Sequence, residues 1–333
     1  MRIAVMTALQ AVACVLACLR LAAAVGPEEG AVHRLGWVLE PGDVRRHAVQ
    51  LELDTRLVIR SGGEETVRQT STELSFDVRA LGLRRESAEE TEVELLVDEF
   101  DLGVITEAAG STVEVTMDED CLTLRRDDEQ PHRALWVDVP RGRGGELGEL
   151  IGAPVPCTID RRGGAVEMDA RMRAWSQVLD STDLIPFIMP LVPVPDADVE
   201  VGLTWKVTSR RTVRLSQPWG NLELGTRTEV RLAGFEPHGR GVAARLEFVR
   251  TDAPVRHDAR FSYELTIEGS VLVGLDGTVL GGEAAVTVAA RTAVVDATYE
   301  LSGTGTLRFD AGQAPAGVTA GDPDESAASD SPH

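Results

Sequence analysis

The residues that could do chemistry are few and scattered. Six histidines, His33, His47, His132, His238, His257 and His333, are spread over 333 residues, with no two at ligand spacing on one predicted element. A zinc site needs three or four convergent ligands, so this pattern argues against one. Two acidic runs, Asp118-Glu119-Asp120 and Asp127-Asp128-Glu129, flank one end of a predicted hairpin, where oxygen-rich turns suit calcium. Neither has the spaced carboxylates and central glycine of a calcium loop, so solvated turn carboxylates are the simpler reading. Gly142, Gly144, Gly145 and Gly148 mimic a phosphate loop in composition, yet follow no buried parallel strand and open no helix. The chain carries no G-x-S-x-G elbow, no H-E-x-x-H helix and no P-loop. Aromatic residues make up 4% of it, too few for the sugar-stacking cleft of a paired-carboxylate glycosidase. The expectation is a protein that is not an enzyme, with no catalytic residue, metal or cofactor.

Four cysteines remain to be placed, and two of them, Cys14 and Cys18, fall in the N-terminal apolar run. Residues 1–24 read as a signal peptide: Arg2, an apolar stretch, then Ala22-Ala23-Ala24 as a small-residue cleavage site. Lipidation at Cys18 is the alternative, although Leu19 and Leu21-Ala22-Ala23 continue the apolar run beyond it. Export puts Cys121 and Cys157 in an oxidising compartment, where a disulfide between them would stabilise by about 3–4 kcal/mol in the chain-entropy model. Two separate buried thiols are the other reading. No C-x-x-C motif supports redox catalysis.

The net charge is −21, and two units more negative without Arg2 and Arg20. Such a surface repels phosphate backbones and anionic membranes, so nucleic acid is excluded as a partner and membrane contact is at most peripheral.

The stretch that stands apart lies in the middle. In MDARMRAWSQVLD, Met168, Met172, Trp175 and Leu179 recur at spacings of four, three and four, one stripe of an amphipathic helix. A proline-rich apolar ribbon follows, where Pro186, Pro190, Pro193 and Pro195 rule out further helix. Leu184, Ile185, Phe187, Ile188, Met189, Leu191 and Val192 make it costly to leave in water, at about 25 cal/mol per Å². Two readings stand: a crossover packed on one sheet face, or a flap over an apolar cavity or a loop that touches the membrane. Under the second, Trp175, Leu179, Leu184, Ile185, Phe187, Ile188, Met189 and Leu191 are the ligand-binding residues.

Everything around that stretch alternates with period two. Val49, Leu51, Leu53, Thr55, Leu57 and Ile59 share one face; Ser61-Gly62-Gly63 turns the chain, and Leu74, Phe76, Val78 and Ala80 return inward. Phe261 to Leu275 keeps one parity throughout, and Asp276-Gly277 is a tight hairpin turn that answers Asp160 to Gly164. A last long strand is expected to carry Val295 to Phe309. Glu200-Val201-Gly202-Leu203 echoes Glu40-Pro41-Gly42-Asp43 as a strand opener, which makes the two halves a weak internal repeat. Strands this long in one meander curl through their twist. The fold class is therefore mostly β: a long-stranded curved antiparallel sheet, half-barrel or barrel-like, with one central amphipathic helix and a proline-rich crossover. A flat sandwich is the runner-up. The segments read as signal peptide (1–24), first β half (25–167), helix plus crossover (168–199), second β half (200–310) and acidic, Gly/Ala/Ser/Pro-rich disordered tail (311–333).

Leader, long meander, amphipathic helix and apolar crossover resemble the periplasmic lipoprotein carriers of the LolA and LppX type over roughly residues 35–310. That resemblance implies a curled sheet wrapping helices around an acyl-chain cavity, and carries no catalytic residues. Val199-Glu200-Val201-Gly202-Leu203-Thr204-Trp205 is also similar to a "VGDTW"-like opener of uncharacterised exported bacterial proteins, with Leu203 in place of the Asp. The expected function is an exported, periplasmic or extracellular binding protein for an apolar small molecule, lipid or lipoprotein. The alternative is a structural or protein-interaction component of the envelope with a filled core.

Overall fold

The computed structural model describes residues 32–118, 120–127, 129–135, 138, 153–163, 165–168, 192–215, 220–239, 241–256 and 260–311. They form sixteen strands: β1 (His33–Leu35), β2 (Val44–Ser61), β3 (Glu64–Arg85), β4 (Glu90–Ala108), β5 (Ser111–Met117), β6 (Cys121–Arg126), β7 (His132–Leu135), β8 (Val155–Asp160), β9 (Ala165–Met168), β10 (Ala197–Val199), β11 (Thr204–Leu215), β12 (Gly220–His238), β13 (Gly241–Pro254), β14 (Phe261–Gly274), β15 (Val279–Val294) and β16 (Ala297–Ala311). Fourteen make one antiparallel sheet in the order β11-β12-β13-β14-β15-β16-β2-β3-β4-β5-β6-β7, with β8 on β4 and β9 on β8. β1 and β10 pair separately. The two halves of the chain are joined along β16 and β2, from Ala297↔Ser61 to Ala311↔His47. The sheet does not close into a barrel, because β11 and β7 are not paired with each other.

It does curl. The Trp37 amide donates to Arg161 O in the β8–β9 turn (2.7 Å), and the next amide, Val38, donates to Asp276 O in the β14–β15 turn (2.8 Å). Laid flat, β8 and β14 would be separated by about six interstrand spacings, near 29 Å. Consecutive residues can bridge them only if the sheet wraps around the face they occupy. The strap Leu35–Leu39 thus plugs the lower end of the curl, with Leu35, Trp37 and Leu39 all in the core.

Glycines mark where the wrapping is tightest. A Cβ on Gly305 would stand 2.0 Å from Glu52 O, one on Gly269 2.2 Å from Glu283 O, and one on Gly282 2.7 Å from Ser270 O. All three lie on the inner face, where adjacent strands coil too closely for a side chain.

Side-chain alternation sets what that face carries. One inner row runs Val230, Phe248, Gly269, Ala284, Leu307, Leu51, Leu74 and Leu102 across eight strands. With Leu232, Val271, Phe309, Val49 and Phe76 just below, it forms the filled lower core.

The internal repeat is real in geometry. Gly42 (φ 89°) and Gly202 (φ 91°) occupy the same left-handed turn position. Asp43 N bonds Glu40 O at 2.9 Å as Leu203 N bonds Glu200 O at 3.0 Å, and Gly42 N reaches Gly82 O as Gly202 N reaches Leu232 O. The closing turns match as well: Asp160 Oδ1 accepts from Arg162 N, and Asp276 Oδ1 from Thr278 N. β5 to β7 are the insertion in the first half.

Three expectations change. Met168, read as the first helical residue, ends β9, and residues 169–191 of the expected helix and ribbon lie outside the described residues. Val295 is not in a strand; it tips the β15–β16 turn at 99% exposure. The segment before Pro41, expected to precede the strands, supplies β1 and the strap, where local pattern is too short to read.

Candidate functional site

The upper half of the inner face differs from the lower. Toward the Gly62 and Val295 turns, Leu53, Leu57 and Ile59 on β2, Tyr263 and Leu265 on β14, and Leu301 on β16 are half-buried rather than buried. They share the parity of the core rows below them, since Leu57↔Leu301 and Leu265↔Val288 continue the same registers without a bulge. Threonines sit among them, and Thr70 and Thr106 exchange a hydroxyl contact at 3.2 Å.

On the flank of this surface is a buried charged pair. Arg250 and Asp252 are neighbours on the inner face of β13, with side chains 8% and 0% exposed. Arg250 donates from Nε to Oδ1 (3.2 Å) and from Nη2 to Oδ2 (3.0 Å) of Asp252. Thr228 lies opposite Arg250 on β12 and Thr226 opposite Asp252. By residue type alone, an arginine and an aspartate suggest a solvent-facing pair. Their signal is parity: Ala244, Leu246 and Phe248 point inward, and continuing by two places Arg250 and Asp252 on an apolar face.

The residues expected to bind ligand, Trp175, Leu179, Leu184, Ile185, Phe187, Ile188, Met189 and Leu191, lie outside the described residues. The end of the ribbon is inside them, and there it packs. Val192, Val194 and Val199 are core residues, Trp205 Nε1 donates to Pro193 O at 2.8 Å, and β10 pairs with β1. Asp196 (φ 48°) turns that end and binds Arg34 at 3.2 Å and Arg161 at 3.7 Å.

Cys121 and Cys157 are two free, buried thiols, the second of the two readings. Cys157 is paired with Val93 near the start of β4, whereas Cys121 adjoins the Leu102–Met117–Leu122 row. About nine residues of β4, some 30 Å of strand, separate those levels. Desolvation pushes the Cys157 thiol up to about 12. Cys121 Sγ instead accepts from Arg133 Nε at 2.8 Å.

The acidic turns are used for folding. Asp118 Oδ1 accepts from the amides of Asp120 and Cys121, and Asp127 caps Ser111 and Thr112. Burial acts to raise the Asp118 pKa, but those amides and Arg133 outweigh it and hold it below the usual range. The Thr112 amide and Ser111 hydroxyl do the same for Asp127. Among the described residues no group of three or more His, Cys, Asp or Glu is placed to hold a metal, and no helix is long and apolar enough to cross a membrane. On the outer face an open hollow at Glu229, Arg231, Glu247 and Glu283 is lined by charges already paired across strands, as in Lys206–Glu229 at 3.0 Å.

No family model matches the chain, and no curated protein matches it. Among solved structures it is similar to the translocator domain of the autotransporter NalP from Neisseria meningitidis, at 8% identity and a TM-score of 0.24, covering 81% of this chain and 90% of that one. It is also similar to a DUF1329 family protein from Desulfovibrio piger, at 10% identity and a TM-score of 0.16, covering 81% and 88%. Likenesses this loose carry no argument about function.

Proposed function

We propose that this is an exported, non-enzymatic binding protein that holds an apolar ligand or lipidated partner against the upper inner face of its curled sheet. The observation that supports it is the contrast along that face. Below, Phe76, Phe309 and the strap fill the curl; above, Leu53, Leu57, Ile59, Leu265 and Leu301 keep the core parity but remain half-buried. Apolar surface left in contact with water costs about 25 cal/mol per Å², and a ligand or partner that covers it recovers that energy.

A structural or protein-contact role in the envelope is the second reading, favoured by the filled lower core and the burial of Val192 and Val194. The test is native mass spectrometry with solvent extraction on mature protein from its own source. A stoichiometric apolar mass supports binding. A clean apo mass, unchanged after incubation with lipids, overturns it in favour of the structural role. Swapping Phe187 and Met189 for Ser separates the readings again: binding lost at unchanged stability marks a lip, and a fall in stability marks a packed crossover.

A further inference from the structure

Along much of the outer face, cations and carboxylates are matched. Arg60 binds Glu65 and Glu300, Arg308 reaches Glu283 and Arg231 reaches Glu247. The β11–β12 hairpin departs from this. Its two strands carry six lysine or arginine residues against three glutamates, in a chain of net charge −21. Lys206 and Arg227 share the one carboxylate of Glu229. Arg210 is exposed, stands opposite Gly225 and forms no ion pair among the described residues. β11 is also an end strand, and among the described residues it pairs with β12 alone.

The same chain holds a segment of complementary charge. After Ala311 come Asp322, Asp324, Glu325 and Asp330, with no lysine or arginine among them. Pro315, Pro323 and Pro332 interrupt its backbone donors, so it is suited to contacts of charge rather than to strand pairing. Where β16 ends sets its reach. Lys206 lies level with Thr306 through the registers of β11 to β16, five strand steps away. Thr306 is five residues above Ala311, so Lys206 is about 29 Å from Ala311 over the surface, and Arg210 about 39 Å. The eleven residues to Asp322 span at most about 40 Å, and the fourteen to Glu325 about 50 Å. We propose that the acidic segment Asp322–Glu325 lies across the outer face of β11 in the same molecule, its carboxylates on Arg210 and beside Lys206. So placed, it covers the cations of the end strand and stands in the way of a second copy's strand.

Lys206 is the only lysine in the chain, so a carbodiimide, which joins a carboxylate to an amine with loss of water, has one side-chain amine to report on. In the full-length protein at low salt, peptide mapping of the monomer fraction should show Lys206 joined to Asp322, Asp324 or Glu325. The Lys206–Glu229 amide, expected from the 3.0 Å pair, is the internal control. The tail product should fall at least fivefold in about 0.5 M NaCl, where exposed charges are screened, and in the Arg210→Thr/Arg214→Thr variant. Glu325 is the only glutamate after Ala311, so a glutamate-specific protease gives a second reading. Cleavage there should be severalfold faster in the double variant than in the wild type. The control amide alone, a tail product confined to crosslinked dimers, or one that persists in high salt and in the variant overturns the proposal. If the carbodiimide gives neither amide, the protease decides, and equal cleavage rates overturn it.

Discussion

Arg45 on β2 and Asp276 in the β14–β15 turn are 231 residues apart and share two contacts: Nη2 to Oδ2 at 3.1 Å and Nη1 to the carbonyl oxygen at 3.0 Å. The same guanidinium donates to Val38 O and stands 5.3 Å from the Trp37 ring centroid. One cation therefore ties strand, hairpin and strap at the closed end of the curl.

That tie predicts an acid-sensitive contribution to stability. Burial acts to raise the Asp276 pKa, but Arg45 and the Thr278 amide and hydroxyl outweigh it and hold it below the usual carboxylate range. Between that lowered value and the unfolded one, near 3.9, the unfolded chain binds more protons. The stabilisation is thus present above about pH 4 and lost as pH falls through the folded pKa. Asp276 is half exposed, so the effect is expected to stay below about 1 kcal/mol. Urea midpoints from pH 2 to 6 should fall less steeply for Asp276→Asn than for the wild type, and parallel curves would refute the link.

The meander was legible because long strands repeat the same parity many times, as from Phe261 to Val273. The turn residues were legible for a different reason: Gly42, Gly202 and Gly277 sit where φ is positive. The strap was not, since three residues of β1 carry no period and the burial of Trp37 comes from turns at positions 161 and 276. Nor was the Arg250–Asp252 block, whose residue types suggest solvent while only the register places them inside.

Glycine replacement should separate curl from backbone freedom. Gly305→Ala puts a Cβ 2.0 Å from Glu52 O and should destabilise by roughly 2–4 kcal/mol, a value reserved for strained or overpacked sites. Gly234, at the β12–β13 irregularity, has nothing within 4 Å of a built Cβ, so Gly234→Ala should change stability by less than about 1 kcal/mol. Equal melting shifts for the two would mean that the inner face is not tightly coiled at Gly305.

The cysteines should behave as inert thiols. With Cys157 pushed up to about 12 and both side chains buried, neither should react with iodoacetamide at pH 8 until the protein unfolds, when intact mass should show two additions on the mature chain. A native disulfide would leave the unreduced, denatured mass unmodified. Cys157→Ser should cost about 1–3 kcal/mol, because it puts a hydroxyl into a buried site beside Val93, and Cys157→Ala should cost less.

β11 is the long end strand of the sheet and carries Lys206, Arg210, Arg211 and Arg214 with no acidic residue, against the charge of the whole chain. Cations on an end strand oppose pairing with a second copy, since antiparallel self-pairing sets like charges near one another. Lys206 is bridged to Glu229, whereas Arg210 is exposed. Lys206→Thr/Arg210→Thr should therefore raise self-association at low ionic strength, read as an increase in weight-average mass by analytical ultracentrifugation. A monomeric variant at the same concentration would show that the charges do not guard this edge.

Leu57 and Leu301 face each other across β2 and β16 on the upper inner face, half-buried, whereas Phe76 is 2% exposed in the lower core. Truncating a fully buried Phe costs about 3–5 kcal/mol through lost transfer energy and the cavity left behind. Leu57→Ser/Leu301→Ser removes less buried surface, and if that surface is kept for a ligand the apo protein should lose no more than about 2 kcal/mol. The difference should appear in the bound state. A ligand at one hundred times its Kd adds about 2.7 kcal/mol of stability through mass action. That increment should be seen for the wild type with an added apolar ligand and be largely absent from the double-serine variant. A loss in the apo protein as large as that of Phe76→Ala would place both leucines in a filled core, and the structural reading would then hold for the upper face as it does for the lower.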